Sequence, residues 1–544
     1  MSYTKPGVEI TQVQKTVSPN LQAPALPVGL IGPGYYISHV VENPESAFMH
    51  NGITVAGTGR HTIDLEAIRT SGLTDMPSGL TAPDAIYAGV YVTNAAAGSS
   101  YAQTMIPVIS GTTCDTFEYD SDEEHFVISG LAGVTSGLVY IGFRSLRNDQ
   151  AGDVIEFDSA DKIEYKLGAI SVFNPLAKAA YLAMQAAGSS VYGFAISGLT
   201  AGYWTGGVGV GSGKYENVEA YSMVPLTQAA TQTTEVESHC TSMSTAANKK
   251  ERIMIYSHEL TDTGTASTWA TAIASYAGSV MNKRSIHVWP TVMYIRERLF
   301  SAQYKPSYIS SYMQPVPETT PSTTMQYTNA LLTGNLTLAD GTKYYKGEAI
   351  TAANWSGLFA EYPFLTVDVP VPGWYGAAIV AGQIAGENPE QSLTNLPVLG
   401  ISKLKYVADH FSESQLNTIA GGGNYLFWQA NEYTRVVCRH QLSTNTMSTE
   451  TKELSITKTI DYVSKFVRTS LLPFVGRWNI NDNLISIVFS HMNAIGEYLK
   501  NNGTVDDFVV EKVEQDANQK DVLRVTINVK PLYPANYIRV TLTF

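Results

Sequence analysis

The run Gly206-Gly207-Val208-Gly209-Val210-Gly211-Ser212-Gly213-Lys214 is the stretch best suited by composition to cradle a phosphate. Closely spaced glycines let backbone N–H groups converge on an anion. A P-loop also needs a glycine five residues before its Gly-Lys pair and a Ser or Thr after the lysine. Val208 and Tyr215 stand there instead. The dinucleotide fingerprint fails as well, because Gly207-x-Gly209 is followed by Ser212 and no convincing strand leads in. The run is therefore expected to be a flexible loop. His239-Cys240 and Cys438-Arg439-His440 offer a thiol beside an imidazole, but adjacency along a helix or strand does not make a dyad. Gly133-Val134-Thr135-Ser136-Gly137 has the form of a nucleophile elbow with Thr for Ser, in β-rich surroundings rather than at a strand-to-helix turn. Asp120, Asp122, Glu123 and Glu124 lack EF-hand spacing and are expected to be a solvated charged loop. The ten histidines form no His-Glu-x-x-His, and none sits at metal-ligand spacing beside Cys or carboxylates. No catalytic, cofactor or metal residues are expected, and no enzyme.

With 544 residues, the chain is expected to fold as about three or four domains. Charged residues make up only 15%, against roughly 25% in an average soluble chain, and Tyr (32) outnumbers Phe (17). Few charges with many Tyr and Thr suit large packed β surfaces, whether subunit interfaces or a β protein with no partner. A net charge of −13 argues against a general nucleic-acid binder. No apolar run approaches the roughly 18 residues of a membrane span, and Met1-Ser2-Tyr3-Thr4-Lys5-Pro6 is not a signal peptide. Cys114, Cys240 and Cys438 lie far apart and are expected to be buried apolar residues of a protein made in a reducing cytoplasm.

The elements that would position any site follow from periodicity. Residues 1–25 look like an extended arm, with a short alternation at Val8, Glu9, Ile10 and Thr11 among prolines. Pro27–Gly32 is an apolar run of strand length, and 46–155 carries short alternating runs between Gly, Ser and Thr clusters, an all-β module inserted after that strand. Residues 26–45 and 156–350 form an α/β domain. Asn174-Pro175 opens a helix that stops at Gly188; Val191–Ile196, Arg252–Tyr256 and Ser285–Val292 are strands. Val236, Cys240, Met243 and Ala247, and Trp269, Ile273, Tyr276 and Val280, recur at helical spacing. Such alternation implies at least partly parallel pairing. A Pro, Thr and Gly-rich stretch at 310–350 is taken as a boundary. Beyond it, 351–530 reads as α+β. Ser412-Glu413-Ser414-Gln415 has capping-box form, Gly421-Gly422-Gly423 stops that helix, and two amphipathic helices follow (Ile456 to Leu471, Ile485 to Leu499).

The strongest strand signal lies at the end. Leu523, Val525, Ile527 and Val529 alternate with Arg524, Thr526, Asn528 and Lys530. After Pro531-Leu532-Tyr533-Pro534, Ile538, Val540, Leu542 and Phe544 oppose Arg539, Thr541 and Thr543. Residues 531–544 are expected to be a strand arm whose apolar edge must be covered by something.

The chain resembles the tail sheath proteins of contractile bacteriophages and related injection machines. The likeness rests on Val369-Pro370-Val371-Pro372 leading into Gly376–Gly382, on Gly421–Tyr425 followed by Arg435–Arg439, and on Tyr462–Trp478 and Pro531–Phe544. Upstream, Pro6–Ile10, Val139–Arg147, Asn174–Gly188 and Met223–Thr227 fit the longer phage members. Gly386-Glu387-Asn388 departs from the family pattern, and 46–135 shows no likeness. The resemblance implies a multidomain α/β and α+β fold: an α/β core, an inserted β-rich domain, and a C-terminal α+β domain completed by exchanged terminal strands. It implies a homopolymer of stacked hexameric rings around an inner tail tube, contracting to drive the tube through a host envelope. Its partners would be the tube, baseplate and tail terminator proteins, with no direct contact to nucleic acid and no membrane insertion. The setting is a virion tail assembled in the host bacterial cytoplasm. Strand exchange would use Val8, Glu9, Ile10 and Thr11 at one end and Ile538, Arg539, Val540, Thr541, Leu542, Thr543 and Phe544 at the other. Residues 452–477 are net +3 in this acidic chain, so a helix bearing Lys458, Lys465, Arg468 and Arg477 is expected to face the tube. The alternatives are another self-assembling surface protein and an α/β enzyme built on 156–350.

Overall fold

In the computed structural model, side chains are described for 25–34, 151–297, 330–350, 358, 362 and 365–542, apart from 169, 173, 197–201, 259, 261–264, 407–409 and 432. For 35–37, 298–300, 364 and the strands within 53–146, only the backbone is described. The chain divides into two compact units, Leu26–Thr457 and a second that contains Lys458–Phe544.

The first unit is built on an eight-stranded sheet. Its strands are β1 (Val28–Gly32), β2 (Val154–Phe157), β3 (Val191–Ala195), β4 (Ser222–Pro225), β5 (Ile253–Tyr256), β6 (Ser285–Trp289), β9 (Asn424–Trp428) and β10 (Val437–Gln441). Between them in sequence lie β7 (Val292–Phe300) and β8 (Phe364–Pro372), which pair with each other in a separate antiparallel sheet. The order of the large sheet is β2-β3-β1-β4-β5-β6-β9-β10. The inner six strands are parallel, and the outer pairs β2-β3 and β9-β10 are antiparallel.

Parallel strands covered on both faces read as continuous apolar runs, which is why Val28–Gly32 and Ile253–Tyr256 are buried at every position. Alternation then sorts their side chains. Ile253 and Ile255 join the core on one face, while Met254 and Tyr256 join the core on the other. The first face is covered by α2 (Pro175–Ala187) and α6 (Trp374–Gly386), after a short α1 (Ala160–Leu167); the second by α3 (Gly202–Val208) and α4 (Ala230–Met243). Two further helices, α5 (Ala266–Val280) and α7 (Glu413–Gly421), enclose a cluster around Trp269, Trp289 and Ile419. Nearly every residue of α6 is buried, and its small side chains let it lie against α2: a Cβ on Gly382 would stand 2.3 Å from the Ala183 carbonyl oxygen.

Local signals fall where the sequence puts them. Pro175 opens α2 and Gly188 closes it in the left-handed region (φ 61°), although Asn174 donates its side-chain amide to Leu167 O rather than capping. Ser412 and Gln415 form a capping box on α7. Helix α4 ends at Met243, so Ala247 falls outside it. The sequence places a boundary at 350, yet β9 pairs with β6 across it, and 424–441 belongs to the same sheet as 28–32. Within 53–146 every observed pairing is antiparallel. Four of these strands join Tyr35–Ile37 in one sheet, and the other three form a second.

The second unit contains most of α8 (Leu454–Leu471), then α9 (Asp482–Asn501), β11 (Val505–Gln515) and β12 (Leu523–Pro531). Its core gathers Tyr462, Val463 and Phe466 from α8, Val488, Met492, Ile495 and Leu499 from α9, and Val505, Phe508 and Val510 from β11. Phe508 lies over Gly496, where an added Cβ would come 2.5 Å from its ring.

Candidate assembly surface

Groups able to do chemistry are disposed of by their surroundings. Burial pushes the Cys240 and Cys438 thiols up to about 12, so neither is a thiolate at neutral pH. Burial, with the Arg252 cation, lowers His239 to about 4, and Arg252 Nη1 lies 2.5 Å from its Nε2. Cys438 is buried, while His440 Nε2 lies 3.1 Å from Glu453 Oε1. No group of three or more His, Cys, Asp or Glu suited to a metal occurs among the described residues, and no described helix is long and apolar enough to cross a membrane.

The glycine run differs from the expected flexible loop. Gly206–Val208 complete α3, and Gly207 packs so closely that a Cβ would stand 2.7 Å from Ile31 and 2.9 Å from Phe194. The Gly211 N–H donates to Glu216 Oε1 at 2.5 Å, and Lys214 Nζ pairs with Asp153 Oδ1 at 2.9 Å. The chain's own carboxylate occupies the anion position. These glycines serve close packing, which a motif search reads as phosphate binding because both uses require the same missing side chain.

What remains is a surface. Strands β11 and β12 form a two-stranded antiparallel sheet, with register shifts at Val505/Asp507 and Val510/Lys512. Along β12 the burial alternates strictly, with Leu523, Val525, Ile527 and Val529 half-buried and Arg524, Thr526, Asn528 and Lys530 exposed. The turn between the strands is fixed by Asp516. Its carboxylate accepts from the Asn518 and Gln519 N–H groups and pairs with Arg524, which holds its pKa below the usual carboxylate range. Neither outer edge of this sheet has a third strand among the described residues, so each presents an open row of backbone donors and acceptors.

Beyond Pro531 the segment expected to be a strand pairs with nothing. Ile538, Val540 and Leu542 are 84%, 76% and 84% exposed, Arg539 and Thr541 are exposed too, and no ladder forms from Leu532 to Leu542. Thr543 and Phe544, and Val8, Glu9, Ile10 and Thr11 of the arm, lie outside the described residues. Of the expected basic face, Lys458 is buried, Lys465 and Arg468 are half-buried, and only Arg477 is exposed. Asp461, buried on the same helix three residues from Lys458 and four from Lys465, reduces the charge this face presents. Lys458, Asp461, Lys465 and Arg468 each take part in further interactions.

Residues 447–544 match the family model of the phage tail sheath C-terminal domain, the family that the sequence resembles and a structural rather than an enzymatic one. The match spans the last part of the first unit, both helices of the second, the hairpin and the terminal segment. No curated protein matches the chain in sequence. Among solved structures, the chain is similar to the anti-feeding prophage helical sheath in its contracted state (12% identity, 73% of this chain and 90% of that one, TM-score 0.47). It is also similar to the sheath complex of an extracellular contractile injection system, PVC, in its contracted state (10%, 73% and 88%, 0.47). A third similar structure is the sheath tail protein of Desulfitobacterium hafniense (10%, 98% and 100%, 0.40).

Proposed function

We propose that this chain is the structural subunit of a contractile tail sheath. It polymerises as stacked hexameric rings around an inner tube, and it contracts to drive that tube through the host envelope. The observation that carries the reading is the terminal segment: an alternating apolar sequence, exposed and unpaired among the described residues, follows a hairpin whose two edges have no third strand among them, inside a region matching the sheath C-terminal domain. Strand addition between copies satisfies both at once. It supplies main-chain hydrogen bonds and covers the apolar face with little demand on side-chain identity. In this reading Ile538–Phe544 of one copy and Val8–Thr11 of another complete the sheet of a third, and the β-rich residues 46–155 form an inserted domain that decorates the outside of the sheath.

Contraction would draw on two packings of the rings, the contracted one lower in free energy, with no nucleotide required. The tube protein lies against Lys465 and Arg468 of α8 and Arg477 in the turn beyond its end, and baseplate and terminator proteins close the two ends. The assembly belongs to a virion tail built in the bacterial cytoplasm. Deleting 532–544 tests the central claim. The expected result is a folded protein, by circular dichroism and monodisperse sedimentation, that no longer forms striated cylinders in negative stain. Cylinders formed at undiminished yield would refute strand addition. Charge reversal at Lys465 and Arg468 should lower the yield of sheath on tube, and an unchanged yield would remove the tube-facing role.

A further inference from the structure

The two open edges of the hairpin are chemically different. On the outer face of β11 stand Asp507, Val509, Lys512 and Glu514, joined by Asp506 and Glu511 at the register shifts, a net charge of −3. Facing them on β12 are Lys530, Asn528, Thr526 and Arg524, net +2. Val509, 47% exposed, is the one apolar side chain on this outer face. The terminal segment has its own two faces: Ile538, Val540 and Leu542 on one side, Tyr537, Arg539 and Thr541 on the other. All six are exposed, and Arg539 has no ion pair among the described residues.

We infer that the edge of β11, rather than that of β12, receives Tyr537–Leu542 of a second copy, with Tyr537 opposite Val509. This rests on the strand-addition reading above and adds to it which edge is used and in what register. When the apolar face of the segment continues the inner face of Val505, Phe508 and Val510, its polar face must lie with the outer one. Beside β12, Arg539 meets Arg524 or Lys530 and Tyr537 finds only amide, hydroxyl and cationic neighbours. Beside β11, Tyr537 gains an aromatic–β-branched pair with Val509. The carboxylates two residues away on either side then receive Arg539: Asp507 if the strand adds antiparallel, Glu511 if it adds parallel. Asp507 already faces Lys500 at 3.9 Å, whereas Glu511 is exposed and has no ion pair among the described residues. Lys530 is already paired with Asp506 at 2.5 Å and Arg524 with Asp516, so beside β12 Arg539 meets two cations and no free carboxylate, whereas β11 offers Glu511.

Cross-strand neighbours bring Cα atoms to about 4.5–5.5 Å, within disulfide reach, while the next strand over is about 10 Å away and out of reach. Full-length chains carrying Cys114→Ser are used; Cys240 and Cys438 are buried. One protein carries Tyr537→Cys. It is mixed under assembly conditions with a second carrying Val509→Cys, or with a third carrying Asn528→Cys, the partner of Val509 on β12. Each protein oxidised alone is the control. The expected result is a covalent dimer from the Val509→Cys mixture, at least tenfold above the Asn528→Cys mixture. A dimer from Asn528→Cys instead reverses the edge assignment, and no dimer from either mixture, in polymers or out of them, also overturns the inference. The 532–544 deletion then decides separately whether strand addition itself stands. As an independent arm, Arg539→Glu should lower polymer yield about fivefold at low salt, and adding Asp507→Lys with Glu511→Lys should restore it. A yield that Arg539→Glu leaves unchanged or raises at low salt would count against β11 and for β12, whose Arg524 and Lys530 would attract the new carboxylate.

Discussion

Replacing Gly496 by alanine asks whether the hairpin is held to α9 by close contact at Phe508. At an open site in a helix, Gly→Ala stabilises by about 1 kcal/mol, because alanine loses less backbone freedom on folding. At Gly496 the new Cβ would come 2.5 Å from Phe508 Cδ1, closer than real Cβ contacts, and 3.1 Å from Cγ, tighter than most. Phe508 is 4% exposed and enclosed by Met492, Ile495 and Val505, so the ring has no free volume to move into. Overpacking of this kind costs about 1–3 kcal/mol, which matches or exceeds the propensity gain. The expected outcome for Gly496→Ala is a net loss of up to about 2 kcal/mol. Phe508→Ala alone should cost about 3–5 kcal/mol through the cavity it leaves. In the double variant the alanine methyl enters part of that cavity, so the two changes should couple favourably by about 1 kcal/mol or more. Amide exchange read by mass spectrometry on peptides from 505–531 isolates this unit from the rest of the chain. Faster exchange in Gly496→Ala, partly reversed on adding Phe508→Ala, is expected. Slower exchange in the single variant would refute the close-contact argument.

His287 Nδ1 lies 2.6 Å from Asn424 Oδ1, and its Nε2 accepts the His258 N–H at 3.2 Å, an arrangement only the neutral ring satisfies. Burial lowers its pKa to about 4 from the ordinary 6.5. The unfolded chain therefore takes up the proton first, and stability that is full above pH 6.5 is lost as pH falls toward 4, on the order of 3 kcal/mol for this group. Denaturant titrations between pH 7 and 4 should show that slope, and His287→Gln should reduce it, leaving the part owed to buried His239. Gly382→Val should unfold the first unit or leave it without a cooperative transition in calorimetry, since its Cβ meets the Ala183 carbonyl. Asp516→Ala should speed exchange across the 516–522 turn at neutral pH; because the folded carboxyl titrates below its ordinary value, the wild-type advantage is present at neutral pH and fades as pH falls through that lowered pKa.

Where a segment's structure is decided by its own residues, the sequence was legible. Pro175 with Gly188 and Ser412 with Gln415 delimit helices through local geometry, and the apolar runs at 28–32 and 253–256 need only a covered sheet to form strands. Legibility ends where long-range pairing decides. Nothing near Asn424 announces that it lies beside His287, so a Pro/Thr/Gly-rich stretch at 310–350 suggested a boundary that the sheet crosses. The basic helix shows a second limit. Counting charges between 452 and 477 takes no account of burial, and the buried Lys458 and Asp461 are in the count although neither is presented to solvent.

Leu523–Val529 and Ile538–Leu542 carry the same alternation, yet only the first is a strand. Propensity does not separate them, since both are rich in β-branched residues opposite Arg and Thr. The difference is the partner. Residues 523–531 have β11 beside them and the Phe508–Met492 core beneath, whereas 538–542 have neither among the described residues. Ordering five residues costs roughly 5–10 kcal/mol of backbone entropy, and an isolated strand gains no ladder to offset it. Burying Ile538, Val540 and Leu542 would return about 5–8 kcal/mol, and backbone hydrogen bonds to a sheet edge would add to that. The balance is unfavourable for the segment alone, which buries nothing, and becomes favourable once a sheet edge supplies both burial and hydrogen bonds. Among the described residues an exposed alternating segment and an open strand edge are thus two halves of one energetic statement, which strand addition from a second copy, as proposed, would complete.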